Sequence, residues 1–142
     1  MIISIIEQIA SDMSMEFYFG REDFQNLIAD EQTLPAIYLD QPITAKYNLS
    51  QSGYMSATYP VKIMFLYKSE LDYTPTEHDT NCIQPAELKI REFINRLQSS
   101  TSVDSIANID SYEFINLFDV NVSGKGLNIE IQINNDYSTC VV

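Results

Sequence analysis

Apolar residues recur with two different periods along this chain, and the change of period divides it into elements. In the opening stretch, MIISIIEQIASDM, isoleucines return every three or four positions, and the acidic and amide residues lie away from that stripe. This spacing predicts an amphipathic helix over residues 2–13. A second helix is predicted over 85–98, where Pro85 suits the first helical turn and an apolar stripe continues to Leu97.

A period of two marks the strands. The longest case is YMSATYPVKIMFLYK, residues 54–68, in which every odd position is apolar. With ITAKYNLS before it and the turn signal SQSG between the two, it predicts a hairpin over 43–68. Shorter strands are predicted around 17–19 and over 36–40, the latter opened by Pro35.

The stretch FINLFDVNVSGKGLNIEIQINN alternates apolar and polar residues on both sides of a glycine-lysine-glycine centre. A phosphate-binding loop would need a helix after the glycines, and here a strand pattern follows. The stretch therefore predicts a C-terminal hairpin over 114–134, with Gly124 and Gly126 as turn residues at positive φ. The preceding segment 99–113, rich in Ser, Asp and Asn, is predicted to be a connection.

Two acidic connections complete the prediction. A long irregular loop is expected over 20–34, and a mobile, acidic, turn-rich loop over 69–83. The length of 142 residues fits one domain, 1–142, with a single core.

Charge narrows the choice of partners. Twenty acidic residues against eight basic ones give a net charge of −12, which argues against direct binding to a nucleic-acid backbone or an anionic membrane surface. Two interpretations of the acidity stay open: solubility through self-repulsion, and a surface that must not adhere to DNA. No secretory signal or membrane-spanning run is visible, so we expect a protein of a reducing cytoplasm with Cys82 and Cys140 as free thiols.

Candidate chemistry is sparse. The 69–83 loop gathers several side chains of metal-ligating type, but their spacing matches neither a zinc template nor an EF-hand. The single histidine, His78, would have to serve any Ser-His or Cys-His pair, and no other feature points to an activated nucleophile. We therefore predict no catalytic residue, no metal and no cofactor, that is, a protein that is not an enzyme.

Pro60 interrupts the longest strand pattern. Proline cannot donate a ladder hydrogen bond, so the strand must be bulged or at an edge of the sheet there. An edge is a place where another chain can dock, but a proline also blocks unwanted pairing, and both interpretations stay open. The nine tyrosines are equally ambiguous, since tyrosine is common both at core edges and at interfaces.

The order of elements resembles that of the tail-terminator or tail-completion proteins of long-tailed phages. The resemblance covers most of the chain and is carried by LPAIYLD after the first helix, SATYPVKIMFLYKSELD entering the acidic loop, ELKIREFINRL as the second helix, and NLFDVNVSGKGLNIEIQI at the close. The last hairpin and FLYKSELDYTP are also similar to small virion proteins of Bacteroidetes-infecting phages, including connector-ring proteins of the crAss-like group.

The resemblance implies an α+β fold, with a mixed, mainly antiparallel β-sheet and two helices packed on one face. It also implies a virion structural protein at the head–tail connector or tail terminator, made in the bacterial host cytoplasm. It implies a homo-oligomeric ring, a hexamer or dodecamer, that contacts neighbouring connector and tail proteins while DNA passes through the lumen without specific binding. The residues that we expect at subunit interfaces are Glu70, Asp72, Tyr73, Glu77, Asp79 and Pro60. The alternative is a small acidic cytosolic adaptor or inhibitor that binds a basic protein.

Overall fold

The computed structural model describes residues 2–20, 34–40, 43–51, 53, 55–70, 72–115 and 122–133. Its helices are α1 (Ile2–Asp12), the short α2 (Pro75–His78) and α3 (Gln84–Ser99), with a π-helical turn, Asp79–Ile83, joining the last two. Its strands are β1 (Glu16–Phe19), β2 (Ala36–Leu39), β3 (Lys46–Leu49), β4 (Met55–Lys68), β5 (Val103–Phe114) and β6 (Val122–Ile133).

The six strands form one mixed sheet in the order β1-β2-β4-β6-β5. Only the β1–β2 pair is parallel among the described strands, and every other pair is antiparallel. The centre is the long ladder between β4 and β6, which runs from Ala57 opposite Ile133 to Lys68 opposite Val122. β3 lies beside the first part of β4, on the same side as β2. The predicted α+β class and mainly antiparallel sheet are confirmed.

Both long helices cover the same face of this sheet. The isoleucines of α1 and the apolar stripe of α3 share one core cluster with the odd-numbered residues of β4 and β6. Phe93 of α3 meets Phe65 of β4 edge to face, with ring centroids 5.6 Å apart, and both side chains are fully buried. This face is hereafter the helix face. The period-two pattern of β4 arises because alternate side chains point into this core.

The opposite face, hereafter the open face, carries a smaller apolar cluster. Tyr38, Met64, Leu66 and Val122 are buried there. Phe114 and Tyr18 pack against them from strands on either side. The sheet is therefore apolar on both faces near the end of β4, which explains why that strand reads as an almost continuous apolar run from Ile63 to Tyr67.

The prediction of a connection over 99–113 is wrong, because Val103–Phe114 forms β5. Within the described part of the chain β5 pairs with one strand, β6, and this ladder shifts register between Val103 and Ser105 and between Ala107 and Asp110. Only Val103 and Ile106 pack against the main core. An edge strand held by backbone hydrogen bonds to one neighbour needs few apolar side chains, so its sequence kept the polar composition of a loop.

The prediction that Gly124 and Gly126 form a turn is also wrong, since both lie inside β6. They permit a close approach of neighbouring groups. A Cβ on Gly124 would overlap the carbonyl oxygen of Phe65, and a Cβ on Gly126 would overlap the Tyr112 ring. The C-terminal hairpin is therefore formed by β5 and β6. It starts at Val103, eleven residues before the predicted start at residue 114. Residues 116–121 and 134, predicted as parts of that hairpin, lie outside the described residues.

The predictions for the remaining segments are partly confirmed and partly wrong. Helices lie where 2–13 and 85–98 were predicted, and β3 with β4 forms the hairpin predicted over 43–68. The predicted acidic loop over 69–83 instead contains α2 and the π-helical turn. Of the predicted long loop over 20–34, residues 21–33 lie outside the described part of the chain.

Candidate assembly surfaces

A capping box starts α2, inside the acidic segment of residues 69–83. The Glu77 backbone N–H donates to Thr74 Oγ1 at 3.2 Å, and the Thr74 N–H donates to Glu77 Oε1 at 3.3 Å. Pro75 occupies the first helical turn. The sequence TPTE carries the Thr-x-x-Glu spacing that predicts such a helix start. That signal was present in the sequence, and the surrounding acidic and turn-forming residues obscured it.

His78 anchors this segment to the sheet. Its side chain is 4% exposed, and its Nδ1 lies 3.4 Å from Ser123 Oγ on β6. Ser123 in turn donates to Ser69 Oγ at 2.9 Å, and both serines are fully buried. Tyr73 covers the histidine edge-on, with ring centroids 5.3 Å apart. A buried polar group that lost these partners would cost free energy, so the network holds α2 in one position.

Cys82 lies under the same segment. Its side chain is fully buried and its Sγ donates to the carbonyl oxygen of Lys68 at 3.5 Å. Burial raises the pKa of the Cys82 thiol, which favours the protonated form over the thiolate that acts as a nucleophile or metal ligand. Among the described residues, no three His, Cys, Asp or Glu side chains lie close enough together to hold a metal ion.

The four carboxylates predicted at an interface all lie on this anchored segment. Glu70, Asp72, Glu77 and Asp79 are exposed, and Tyr73 is half-buried beside them. Asp79 accepts a hydrogen bond of 2.6 Å from Gln84 Nε2, which ties the π-helical turn to the start of α3. These residues therefore form one ordered acidic surface, hereafter the acidic knob, in place of the mobile loop expected from the sequence.

Pro60 does not belong to that surface. It precedes Lys68, the last residue of β4, by eight positions, which corresponds to about 26 Å of strand. The Asp40 N–H donates to the Lys62 carbonyl at 3.0 Å, so Lys62 faces the β2 side of β4. Since backbone groups alternate with period two, the Pro60 nitrogen faces the same side. It lies between the residues paired with β3 and those paired with β2, so among the described residues it is at a local edge, which is one of the two arrangements that the sequence left open.

β5 forms one outer edge of the sheet, and sequence reasoning missed it. Along its outer side no strand pairs with it among the described residues. Three apolar side chains stay exposed in its second half and just beyond, Ile109 at 45%, Tyr112 at 43% and Ile115 at 53%. β5 also carries Asp104, Asp110 and Glu113 but no basic residue. Exposed apolar residues on a long open edge are typical of a surface that pairs with another chain.

β3 forms an open edge on the other side of the sheet, since β4 is its one partner among the strands that the structure describes. All four of its residues are exposed, and Tyr47 and Leu49 keep 65% and 73% of their surfaces accessible. Tyr47 pairs with Ala57 and Leu49 with Met55, which places both on the helix face. The sequence pattern correctly predicted that these two residues share one face of a strand. It could not predict that the described helices leave this part of the face uncovered.

No family model and no curated protein sequence matches this chain. Across the residues that the structure describes, none of the helices is long and apolar enough to cross a membrane.

Proposed function

We propose that this protein is a non-enzymatic structural subunit of a phage virion that assembles into a ring at the head–tail connector or tail terminator. The observation that carries the proposal is the pair of unlike open edges, β3 on one side of the sheet and β5 on the other. An interface between two different surfaces of identical subunits is heterologous, and such contacts close into rings when the rotation between subunits permits it.

The fold class adds limited support. A mixed, mainly antiparallel sheet with two helices on one face is the architecture that the tail-terminator resemblance implies, and this chain has that architecture. Fold alone does not fix function, so the two open edges carry more weight than the architecture.

The net charge of −12 is compatible with a ring through which DNA moves. A lumen without clustered lysine and arginine would not hold the phosphate backbone. In this proposal the acidic knob contacts neighbouring connector or tail proteins. Its carboxylates are exposed, and the His78–Ser123–Ser69 network fixes their position in advance.

Negative-stain electron microscopy of the purified protein tests the ring. We expect closed annular particles with six-fold or twelve-fold symmetry in class averages. Particles of monomer size, or open filaments of indefinite length, would contradict the proposal. Antibody labelling of the corresponding virions tests the location, and the proposal predicts label at the neck or the head-proximal end of the tail.

A cytosolic adaptor that binds a basic protein is the second candidate, and the acidic knob is the observation that favours it. Four exposed carboxylates on an ordered segment can bind a basic surface without prior folding. This function predicts a partner whose affinity falls as salt rises, because exposed charges are screened within about 8 Å at physiological ionic strength. It also predicts no ring. Tight binding that persisted unchanged in high salt would contradict it.

A further inference from the structure

We infer that the second half of β5, residues 109–115, pairs antiparallel with β3 of a second copy, so that one sheet continues from subunit to subunit. This inference rests on the proposed ring and names the two strands that would close it. Exposure, charge, strand direction and the faces of the sheet support it independently.

Exposure selects the strands. On the β3 side, β1 is also an outer strand, but Phe17, Tyr18 and Phe19 are partly buried, whereas every residue of β3 is exposed. On the other side, Val103 and Ile106 in the first half of β5 pack against the core. The second half follows a register shift at which Asn108 adopts φ 51°, and its apolar side chains stay exposed.

Charge disfavours the simplest alternative, in which β5 pairs with β5 of a second copy. Such a pair would bring two sets of Asp104, Asp110 and Glu113 together without a basic residue on either strand. Like charges on facing strands are destabilising. β3 carries Lys46 and no acidic residue, so it is the complementary edge.

Strand direction fits the same pairing. β3 is antiparallel to β4, β4 to β6, and β6 to β5. Three reversals leave β5 antiparallel to β3 within one subunit. When strands lie along the axis of a closed ring, rotation keeps their direction, and β5 therefore meets the next β3 in antiparallel orientation.

The two faces also match. Tyr47 and Leu49 lie on the helix face, because their partners Ala57 and Met55 share the odd-numbered side of β4. Ser111 lies on that face opposite Leu127, and Ile109 lines a cavity with α3 residues on the same face. Lys46 and Asp110 both lie on the open face, opposite Thr58 and Asn128 respectively. A continuous sheet thus brings Ile109 to the same face as Tyr47 and Leu49, and it brings Asp110 to the same face as Lys46. Of the other residues in this half of β5, Glu113 lies on the helix face and Tyr112 on the open face.

Two blocked variants test the pairing by complementation. Tyr47→Glu with Leu49→Glu blocks β3, and Ile109→Glu with Ser111→Glu blocks β5. All four side chains are exposed, so both variants should fold. By sedimentation velocity, each variant alone should lose every species above monomer. An equimolar mixture should form a dimer and nothing larger, since it has one intact β3 and one intact β5 that can pair.

The control is Leu88→Glu, which introduces the same glutamate at an apolar residue of α3 that is 68% exposed and does not line the cavity beside Ile109. It should assemble like the unmodified protein. If the unmodified protein is a monomer at every concentration, the ring and the pairing both fail. If it assembles and the two blocked variants assemble equally well, the ring stands and the pairing is overturned. Loss of assembly in only one variant, or a mixture that does not dimerise, also overturns the pairing.

Hydrogen exchange of the unmodified protein provides a second readout that needs no variant. Amides of β3 and of residues 110–114 should exchange more slowly at concentrations where the oligomer forms than at concentrations where the monomer dominates. Equal exchange of both strands in the two states would overturn the pairing, even if one of the blocked variants proved unable to fold.

Discussion

Ser123 in β6 donates a hydrogen bond of 2.9 Å to the hydroxyl oxygen of Ser69, the residue directly after β4, and both serines are fully buried. The Nδ1 atom of His78 contacts the same hydroxyl oxygen of Ser123. Fifty-four positions separate the two serines along the chain, so this small polar cluster forms only when the central strands are paired. The polar cluster therefore fixes the acidic knob only when β4 and β6 are paired.

Replacing His78 with alanine should loosen the acidic knob. The change removes the contact of Ser123 with Nδ1 and creates a cavity, while the Ser123–Ser69 hydrogen bond remains, and we expect a loss of about 2–4 kcal/mol in the free energy of unfolding. Urea unfolding measures that loss. Thr76→Ala, at an exposed residue of the same helix, should stay within about 0.5 kcal/mol. Equal effects of the two substitutions would show that the His78 network does not anchor α2.

The two glycines of β6 should respond differently to alanine. At Gly124 the added Cβ meets the backbone carbonyl of Phe65, which cannot move without disturbing the central ladder, and we expect a loss of about 2–3 kcal/mol. At Gly126 it meets the ring of Tyr112, which is partly exposed and can rotate away, so the loss should be smaller. Thermal unfolding of both variants compares them. If Gly126→Ala lost more stability than Gly124→Ala, the Tyr112 ring would be less able to move than the Phe65 carbonyl, contrary to this prediction.

Phe93→Ala should be among the most damaging single changes. Its ring is fully buried against Phe65, between α3 and β4, and truncating such a side chain costs about 3–5 kcal/mol. Leu88→Ala on the same helix removes an exposed side chain and should change stability by less than about 0.5 kcal/mol. Chemical denaturation of the two variants gives the comparison. A stable Phe93→Ala protein would mean that α3 does not complete the core as described.

Tyr67 predicts how stability changes at alkaline pH. Burial, together with the charges of Glu92 and Cys82, raises the pKa of Tyr67 to about 12, and its hydroxyl donates to the Pro85 carbonyl at 3.4 Å. The protonated phenol is favoured in the folded state, so its contribution is complete below the unfolded pKa of about 10 and is lost as pH rises towards 12.

Tyr67→Phe should therefore show a shallower decline in the free energy of unfolding between pH 10 and 12 than the unmodified protein. Urea unfolding at a series of alkaline pH values measures that slope. Leu88→Ala, which removes an exposed side chain that carries no titratable group, is the control and should leave the slope unchanged. Identical slopes in all three proteins would mean that ionisation of Tyr67 is not linked to unfolding.

Periodicity predicted the elements that bury a full face. α1, α3 and β4 place apolar residues against one core, so their sequences carry the pattern of 3.6 or two. It failed for β5, whose side chains are mostly exposed and whose order comes from the backbone ladder with β6. Gly124 was misread for a related reason, because a glycine that yields space to a neighbouring carbonyl is indistinguishable in sequence from a glycine in a turn.

The candidate surfaces were only half visible in the sequence. The exposed carboxylates Glu70, Asp72, Glu77 and Asp79 were identified, but the anchoring of that segment depends on Ser123, which is distant in sequence. Which strands form the open edges depends on the order of strands in the sheet, and hydrophobic periodicity does not predict that order. The missing N–H of Pro60 indicated a bulge or an edge of the sheet. The sequence did not indicate that Pro60 lies on a different surface from the acidic knob.

Native mass spectrometry over a wide range of protein concentration tests the central claim, assembly into a closed ring, most directly. The proposal predicts one discrete oligomer, a hexamer or a dodecamer, that grows at the expense of the monomer as concentration rises. A monomer at every concentration, or a continuous ladder of sizes without a preferred closed species, would contradict it.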